Sequence, residues 1–368
     1  MSAGRGLGKG VSLAFLSSLL TGLVVVPLFL LPHPPLLSSI PRQLTFSSGS
    51  DIDPELSPDG RTVAYSSNAT GRFEIWTIGV DGKHMARLTD LGLEARSPRW
   101  SPDGSILAFL LVRGNLTELW EVDKAGGSLR PLVITLSVST FEWNPDGRKI
   151  VFDSRSSGSW RIYTVSTDKG VTALLFEGRY PSWSPDGGRI AYCETTEANY
   201  TIAIRAADGS GAKRLTDATY SSVRPAFTHD GSGLVFISNR FGSWALWTME
   251  VDGSHLSVLG TFGMDVDPNL TPTLSVSQSR VTLGARAIGG SVGLLLFVLN
   301  DTLLNPDLPF RGVYDSPVGV YLGTAGISET APSLSRDELT VVFSSLGQNG
   351  EHVWILTSKK PISPYSEQ

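Results

Sequence analysis

The sequence predicts an all-β propeller of four-stranded antiparallel blades, and three observations carry that prediction. Five near-copies of one phrase, LSPDGRTVAY, WSPDGSILAF, WNPDGRKIVF, WSPDGGRIAY and FTHDGSGLVF, place aspartates at Asp59, Asp103, Asp146, Asp186 and Asp230. Their separations of 44, 43, 40 and 44 residues match the roughly 40 to 45 residues of a propeller blade and exceed a leucine-rich or ankyrin unit. Around every copy the same order of four short strands and three turns recurs, with an apolar pair and an aromatic after each Asp-Gly turn.

From the N-terminus, residues 1–10 carry Arg5 and Lys9, and residues 11–31 (VSLAFLSSLLTGLVVVPLFLL) run for 21 residues without a charge. That length crosses a bilayer as one helix. It is longer than the apolar core of a cleaved signal peptide, so an uncleaved signal anchor is expected, with Arg5 and Lys9 cytoplasmic and everything after it extracytoplasmic. Residues 32–41 form a Pro-rich tether. The segment RQLTF, Arg42 to Phe46, reads as a fourth strand without its own blade.

Within each repeat a first strand enters the Ser-Pro-Asp-Gly turn, where Pro presets φ and Gly accepts a positive φ. A second strand ends in an aromatic, at Tyr65, Phe109, Phe152, Tyr192 and Phe236. A polar hairpin leads to a third strand centred on Trp76, Trp120, Tyr163 or Trp247; a Gly turn such as VDGK or VDGS follows, then a fourth strand. Two weaker copies extend the series: PTLSVSQSRVTL, with Ser277 in the Asp position, and PSLSRDELTVVF, with Asp337 there. Seven blades result, or six if the degenerate sixth copy is not a full sheet. The Pro- and Asp-rich DTLLNPDLPFRGVYDSP reads as a loop inserted in blade six. The last copy has only a polar tail, residues 359–368, after its third strand, so Arg42 to Phe46 is expected to complete it and leave no open sheet edge across the propeller of residues 42–358.

These repeats, with a central Ile-Trp or Ile-Tyr strand and a fourth strand ending in Leu-Thr, resemble the TolB-type propeller repeat, found in the periplasmic protein TolB and in propeller domains of prolyl-oligopeptidase-like enzymes. The resemblance spans residue 42 to about 358. It implies the fold, while function lives in sites grafted on it. The chain departs from TolB in lacking its preceding α/β domain, and from the peptidases in lacking a hydrolase domain.

Composition and motifs exclude more than they assign. A net charge of −5 with no basic run leaves no footprint for nucleic acid. Cys193 is the single cysteine, expected as a small buried side chain in the second strand of blade four. Gly289-Gly290-Ser291-Val292-Gly293 matches the G-x-S-x-G elbow in letters only, because a strand and not a helix follows it. His84 and His255 fall in equivalent VDG turns, His229 replaces the Pro of a repeat, His352 starts a third strand and His33 lies in the tether, so no metal site is expected. The Asp51-Ile-Asp53 and Asp265-Val-Asp267 turns lack the ligand series of an EF-hand. No cofactor is implied. The repeated aspartates, Asp59, Asp103, Asp146, Asp186, Asp230 and Asp337, are expected to hold their own turns.

Two candidate surfaces remain. Residues placed just before each first strand, Asp51, Asp53, Arg96, Arg179, Arg224, Asp267 and Glu329, are expected to ring the central opening as a mixed-charge mouth suited to a polar peptide or a partner's loop. Asn68, Asn115, Asn199, Asn269 and Asn300 stand in Asn-x-Thr triplets; these are candidate glycosylation sites, although a turn-rich β sequence also brings Asn and Thr together. Strand polarity puts the SPDG turns on the face where the tether enters, so that face is expected to look toward the membrane and the charged mouth away from it. The leading expectation is a monomeric, membrane-anchored, extracytoplasmic module that binds or scaffolds a protein or peptide. The alternatives are a lyase or hydrolase working at the channel mouth, and an accessory subunit of an envelope transport or proteolytic complex.

Overall fold

The computed structural model describes residues 42–261 except 157, 197 and 198, together with 273–276, 280–286, 292–298, 333–335, 340–347 and 350–357. The expected anchor at 11–31, the tether, the tail, Asp267, Glu329, Ser277, Ser291, Asp337, Asn269 and Asn300 lie outside the described residues. Among those described, no helix is long and apolar enough to cross a membrane.

The chain is all-β. Five successive four-stranded antiparallel sheets open with the first strands Asp51–Leu56, Glu94–Trp100, Val138–Trp143, Arg179–Trp183 and Ser222–Phe227. They are called blades one to five below. The strands Thr273–Val276, Arg280–Arg286 and Val292–Val298 pair as a sixth sheet of three. A further four-stranded sheet runs in the order Arg42–Gln43, Gly350–Thr357, Thr340–Gly347, Ser333–Leu334. In it Arg42 stands opposite Ile355 and Gln43 opposite Trp354. The N-terminal strand is thus shorter than the expected Arg42 to Phe46; Leu44 and Thr45 continue alongside by donating their N–H groups to the Val353 carbonyl at 2.7 and 3.3 Å.

The second strand is the apolar centre of each blade. Tyr65, Phe109, Phe152, Tyr192 and Phe236 are all at most 2% exposed, because the second strand has a hydrogen-bonded neighbour on both sides and another sheet over each face. Cys193 is likewise fully buried, and burial pushes its thiol up to about 12, which keeps it protonated and unreactive.

The first strands are innermost. Asp51–Leu56 packs on Glu94–Trp100, Val138–Trp143 on Arg179–Trp183, and Arg179–Trp183 on Ser222–Phe227. Indole hydrogen bonds tie further pairs: Trp100 Nε1 donates to the Glu55 carbonyl at 3.2 Å, and Trp143 Nε1 to the Arg99 carbonyl at 3.1 Å. Asp51–Leu56 also packs against the sheet that contains Arg42–Gln43, and Leu56 N donates to Ser333 Oγ at 3.1 Å. Trp100 and Trp143, which precede their Asp-Gly turns, therefore have a polar reason as well as an apolar one, whereas Leu56 and Phe227 fill the same place with apolar side chains alone and the buried Trp183 indole has no acceptor.

The turn aspartates close their own loops. Asp59 Oδ1 accepts from Ser57 Oγ at 2.6 Å and Arg61 N at 3.1 Å, and Asp103 Oδ1 accepts from Ser101 Oγ at 2.6 Å and Ser105 N at 3.1 Å. Asp186 takes the Gly188 N–H at 2.9 Å, Asp230 the Ser232 N–H at 3.1 Å and Asp146 the Arg148 N–H at 2.8 Å. The Ser hydroxyls, followed by these backbone donors, hold the Asp59, Asp103 and Asp186 carboxyls below the ordinary range.

Replacing Trp143 with Phe removes the indole donor to the Arg99 carbonyl, a link between blades two and three. A loss of about 0.5–1.5 kcal/mol is expected, read as a lower urea midpoint with an unchanged slope.

Candidate functional site

The residues expected at the mouth are not ahead of the first strands but inside them. Asp51 and Asp53 belong to Asp51–Leu56, Arg96 to Glu94–Trp100, Arg179 to Arg179–Trp183 and Arg224 to Ser222–Phe227. The displacement has a local cause. The first strand of each of blades one to five carries a β-bulge, with register shifts between Ile52 and Glu55, Arg96 and Arg99, Val138 and Phe141, Arg179 and Ser182, and Val223 and Ala226. Pairing resumes on the far side of the bulge, so the strand reaches back past the Pro that marked its expected start.

At the bulge, Asp53, Ser97, Tyr180 and Arg224 adopt φ of 53°, 54°, 53° and 54°. Left-handed conformations at non-glycine residues cost of the order of 1–3 kcal/mol each. The preceding blade supplies compensation. Ser66 Oγ accepts the Ser97 N–H at 3.1 Å, and Asp153 Oδ2 accepts the Tyr180 N–H at 3.0 Å. Ser66 and Asp153 occupy the same place, directly after the second-strand aromatic. Leu110 stands there in blade two and has no acceptor to offer. Thr140 of blade three takes no positive φ and instead gives both its N–H and its hydroxyl to Asp153 Oδ1, at 2.7 and 2.9 Å. Burial pushes the Asp153 carboxyl up, against the pull of these donors.

Asp51 is not a mouth residue. It is fully buried, accepts from Ser47 Oγ at 2.8 Å, and lies 3.5 Å from Nδ1 of His352. His352 lies in the third strand Gly350–Thr357, as the sequence predicts, and is itself 4% exposed; it joins that sheet to blade one. Asp53 accepts from Ser97 Oγ at 3.1 Å. Arg96 lies over the Phe73 ring at 4.1 Å and pairs with Glu94 at 2.7 Å.

Beyond the bulge in the first strands is a charged layer that the sequence reading missed. The position after the bulge Pro carries Glu55, Arg99, Glu142, Ser182 and Ala226. Arg99 Nη1 is 3.1 Å from Glu55 Oε2, both side chains about a quarter exposed. Glu142 Oε1 accepts the Trp183 N–H at 3.2 Å. Burial pushes Glu142 up to about 7, opposed by the Trp183 N–H and the Ser182 hydroxyl, and pushes Glu55 up against the pull of Arg99. Aligning PELSPDG, PRWSPDG, FEWNPDG, PSWSPDG and PAFTHDG column by column would have revealed this layer. The signal was present in the letters, two or three residues beyond the positions chosen.

On the other face, a cleft of about 330 Å³ lies between the turns of blades two and three, lined by Ser101, Asp103, Trp143 and Asp146 among others. Among the described residues no group of three or more His, Cys, Asp and Glu side chains is placed to hold a metal. Of the described triplet asparagines, Asn115 is exposed on a hairpin. Asn68 Oδ1 accepts the Ser50 N–H at 2.6 Å. Asn199 uses its amide nitrogen, the atom a glycan would need, to donate to the Ala218 carbonyl at 2.8 Å.

Inner bulged strands, central aromatic strands and Asp-Gly turns on one face define a β-propeller. The chain carries TolB-type propeller repeats: residues 90–255 match the TolB beta propeller domain, PD40. It is 26% identical over 239 residues to an uncharacterized protein of Agrobacterium fabrum, covering 60% of this chain and 80% of that one. It is 30% identical over 157 residues to a TolB homolog of Chlorobium luteolum, covering 42% and 36%. The chain thus spans about a third of that TolB homolog. In fold it is similar to an oligogalacturonate lyase from Vibrio parahaemolyticus, with a TM-score of 0.66 at 14% identity over 87% of this chain and 94% of the lyase.

The elevated Glu142 carboxyl sets a pH test. A carboxyl raised in the folded state contributes stability below its unfolded value near 4.5, and that contribution is lost as pH rises through about 7. Glu142→Gln should therefore match the parent near pH 4 and exceed it by about 2 kcal/mol near pH 8, measured by urea unfolding across that range. A constant difference at all pH values would contradict the assignment.

Proposed function

We propose that this protein is a membrane-anchored, extracytoplasmic TolB-like propeller that binds a protein or peptide partner at the mouth opposite the SPDG turns. In this reading the propeller is a ring of seven blades closed by Arg42–Gln43, and residues 11–31 hold it to the membrane. The observation that carries it is the set of Arg96, Arg179 and Arg224 in bulged first strands, each lying over an aromatic ring, with Arg179 and Arg224 lacking an ion pair among the described residues. Binding is supported by the TolB-type repeats and by a similarity to a protein named as a TolB homolog. The orientation follows from strand polarity: the tether joins Arg42 on the SPDG side, which turns the mouth outward.

A lyase acting at the channel mouth is the second reading. It is favoured by the fold similarity to the oligogalacturonate lyase and by the Glu55, Arg99 and Glu142 layer, which could move protons near neutral pH.

A photo-crosslinking residue at Arg113, on the exposed hairpin of blade two, should yield one discrete adduct with another envelope protein in intact cells. The same residue at Arg148, beside an SPDG turn, should yield none. Adducts from Arg148 alone would reverse the orientation, and no discrete adduct from either position would sink the binding reading.

A further inference from the structure

From the unpaired donors around Tyr180 we infer a carboxylate-binding subsite formed by Arg179, Tyr180 and Arg224, which takes a carboxylate of a bound peptide. This subsite rests on the binding function proposed above and gives its chemistry.

The Arg179 guanidinium lies 4.1 Å from the Trp160 ring centroid and 4.2 Å from that of Tyr180, and the Arg224 guanidinium lies 4.3 Å from the same Tyr180 ring. Two cations thus share one aromatic ring. Neither has an ion pair or a side-chain hydrogen bond among the described residues, and the Nε atom of each is buried without a partner. Arg96 shares the unpartnered Nε but is neutralised by Glu94, and Arg99 by Glu55, so the contrast lies in the missing ion pair. The Tyr180 hydroxyl is also buried and unpartnered, on a residue only 6% exposed.

Holding these groups together is costly. Burial lowers the Arg224 pKa, and Arg179 adds to that repulsion. Tyr180 and Arg224 both sit at positive φ, and Asp153 fixes the Tyr180 backbone N–H at 3.0 Å. The arrangement is rigid, charged and short of acceptors. Stacking on rings orients a guanidinium while leaving its in-plane N–H groups free for a planar, bidentate acceptor, which is the geometry of a carboxylate. Charge fits as well. Two guanidiniums with one buried carboxyl behind them suit a monoanion better than a phosphate dianion. A ligand carboxylate would satisfy donors on blades four and five at once, and Trp160 of blade three would report its arrival.

The test uses the full chain in detergent and follows Trp fluorescence on titration with acetyl-Ala-Ala-Ala bearing a free C-terminus, its C-terminal amide, acetyl-Ala-Glu-Ala-amide and inorganic phosphate. Saturable binding of a carboxylate peptide, at least about tenfold tighter than the amide (about 1.4 kcal/mol), is expected. The terminal-carboxylate and Glu peptides distinguish the two sources by which binds tighter. Arg179→Gln and Arg224→Gln should each weaken binding at least about tenfold, a charge-assisted bond being worth about 1.5–3 kcal/mol. Tyr180→Phe should weaken it a few-fold, and Arg148→Gln should leave it unchanged. Arg179→Lys and Arg224→Lys, which keep the charge, should retain the parent's circular dichroism and regain part of the affinity. The inference is overturned if the amide binds as tightly as the acids, if phosphate binds tighter than both carboxylates, if no peptide saturates, or if the Gln variants bind like the parent. Carboxylate binding without an adduct from Arg113 would leave this subsite standing and remove the partner reading. An adduct without carboxylate binding would do the reverse.

Discussion

Capture of a bulge N–H by the preceding blade is the interaction on which the rest of this structure depends. A first strand that only paired within its own sheet would leave the blades as separate four-stranded units with no fixed angle between them. In blades two and four the bulge instead turns one N–H out of its own ladder, and Ser66 or Asp153 of the preceding blade accepts it. Trp100 and Trp143 repeat the linkage a few residues later through indole donors to the neighbour's carbonyls. Each contact is local, yet repeated around successive sheets they set the position of every first strand relative to the next.

The charged centre follows from that linkage. The bulge interrupts the side-chain alternation, and charged residues stand on both sides of it. Glu55, Arg99 and Glu142 follow it, while Arg96 and Arg179 precede it and Arg224 lies within it. Charges brought so close must pair or shift. Arg99 pairs with Glu55, Glu142 rises toward neutrality, and Arg179 and Arg224 shelter on aromatic faces. Blade three shows how adaptable the scheme is. Where Leu110 provides no acceptor, Thr140 gives up the left-handed conformation, and Asp153 then serves two blades.

Much of the fold was legible in the letters. The period of the Asp-Gly phrase gave the blades, the aromatic after each apolar pair gave the buried second strand, and Cys193 was correctly read as core. The candidate site was legible only in part. Arg179 and Arg224 were named from their place beside Pro, but as members of a solvated rim together with Asp51, which proves to be buried against His352. Glu55, Arg99, Glu142, Asp153 and Tyr180 were passed over, because nothing in a single repeat distinguishes a strand residue that faces the axis from one that faces solvent.

The sequence by itself determined what is local and repeated: where strands begin and end, which turns take Pro, Asp and Gly, and which side chains are apolar enough to fill the sheets. Those properties depend on neighbours within a few residues, so a pattern in the chain expresses them directly. Only the tertiary structure decided which charges meet. Glu55 and Arg99 come from different blades, as do Asp153 and Tyr180, and their proximity depends on a bulge whose backbone conformation is held by the blade before it. A column of the aligned repeats can show that charges recur, but which of them meet across some forty residues of chain appears only when the blades are set side by side.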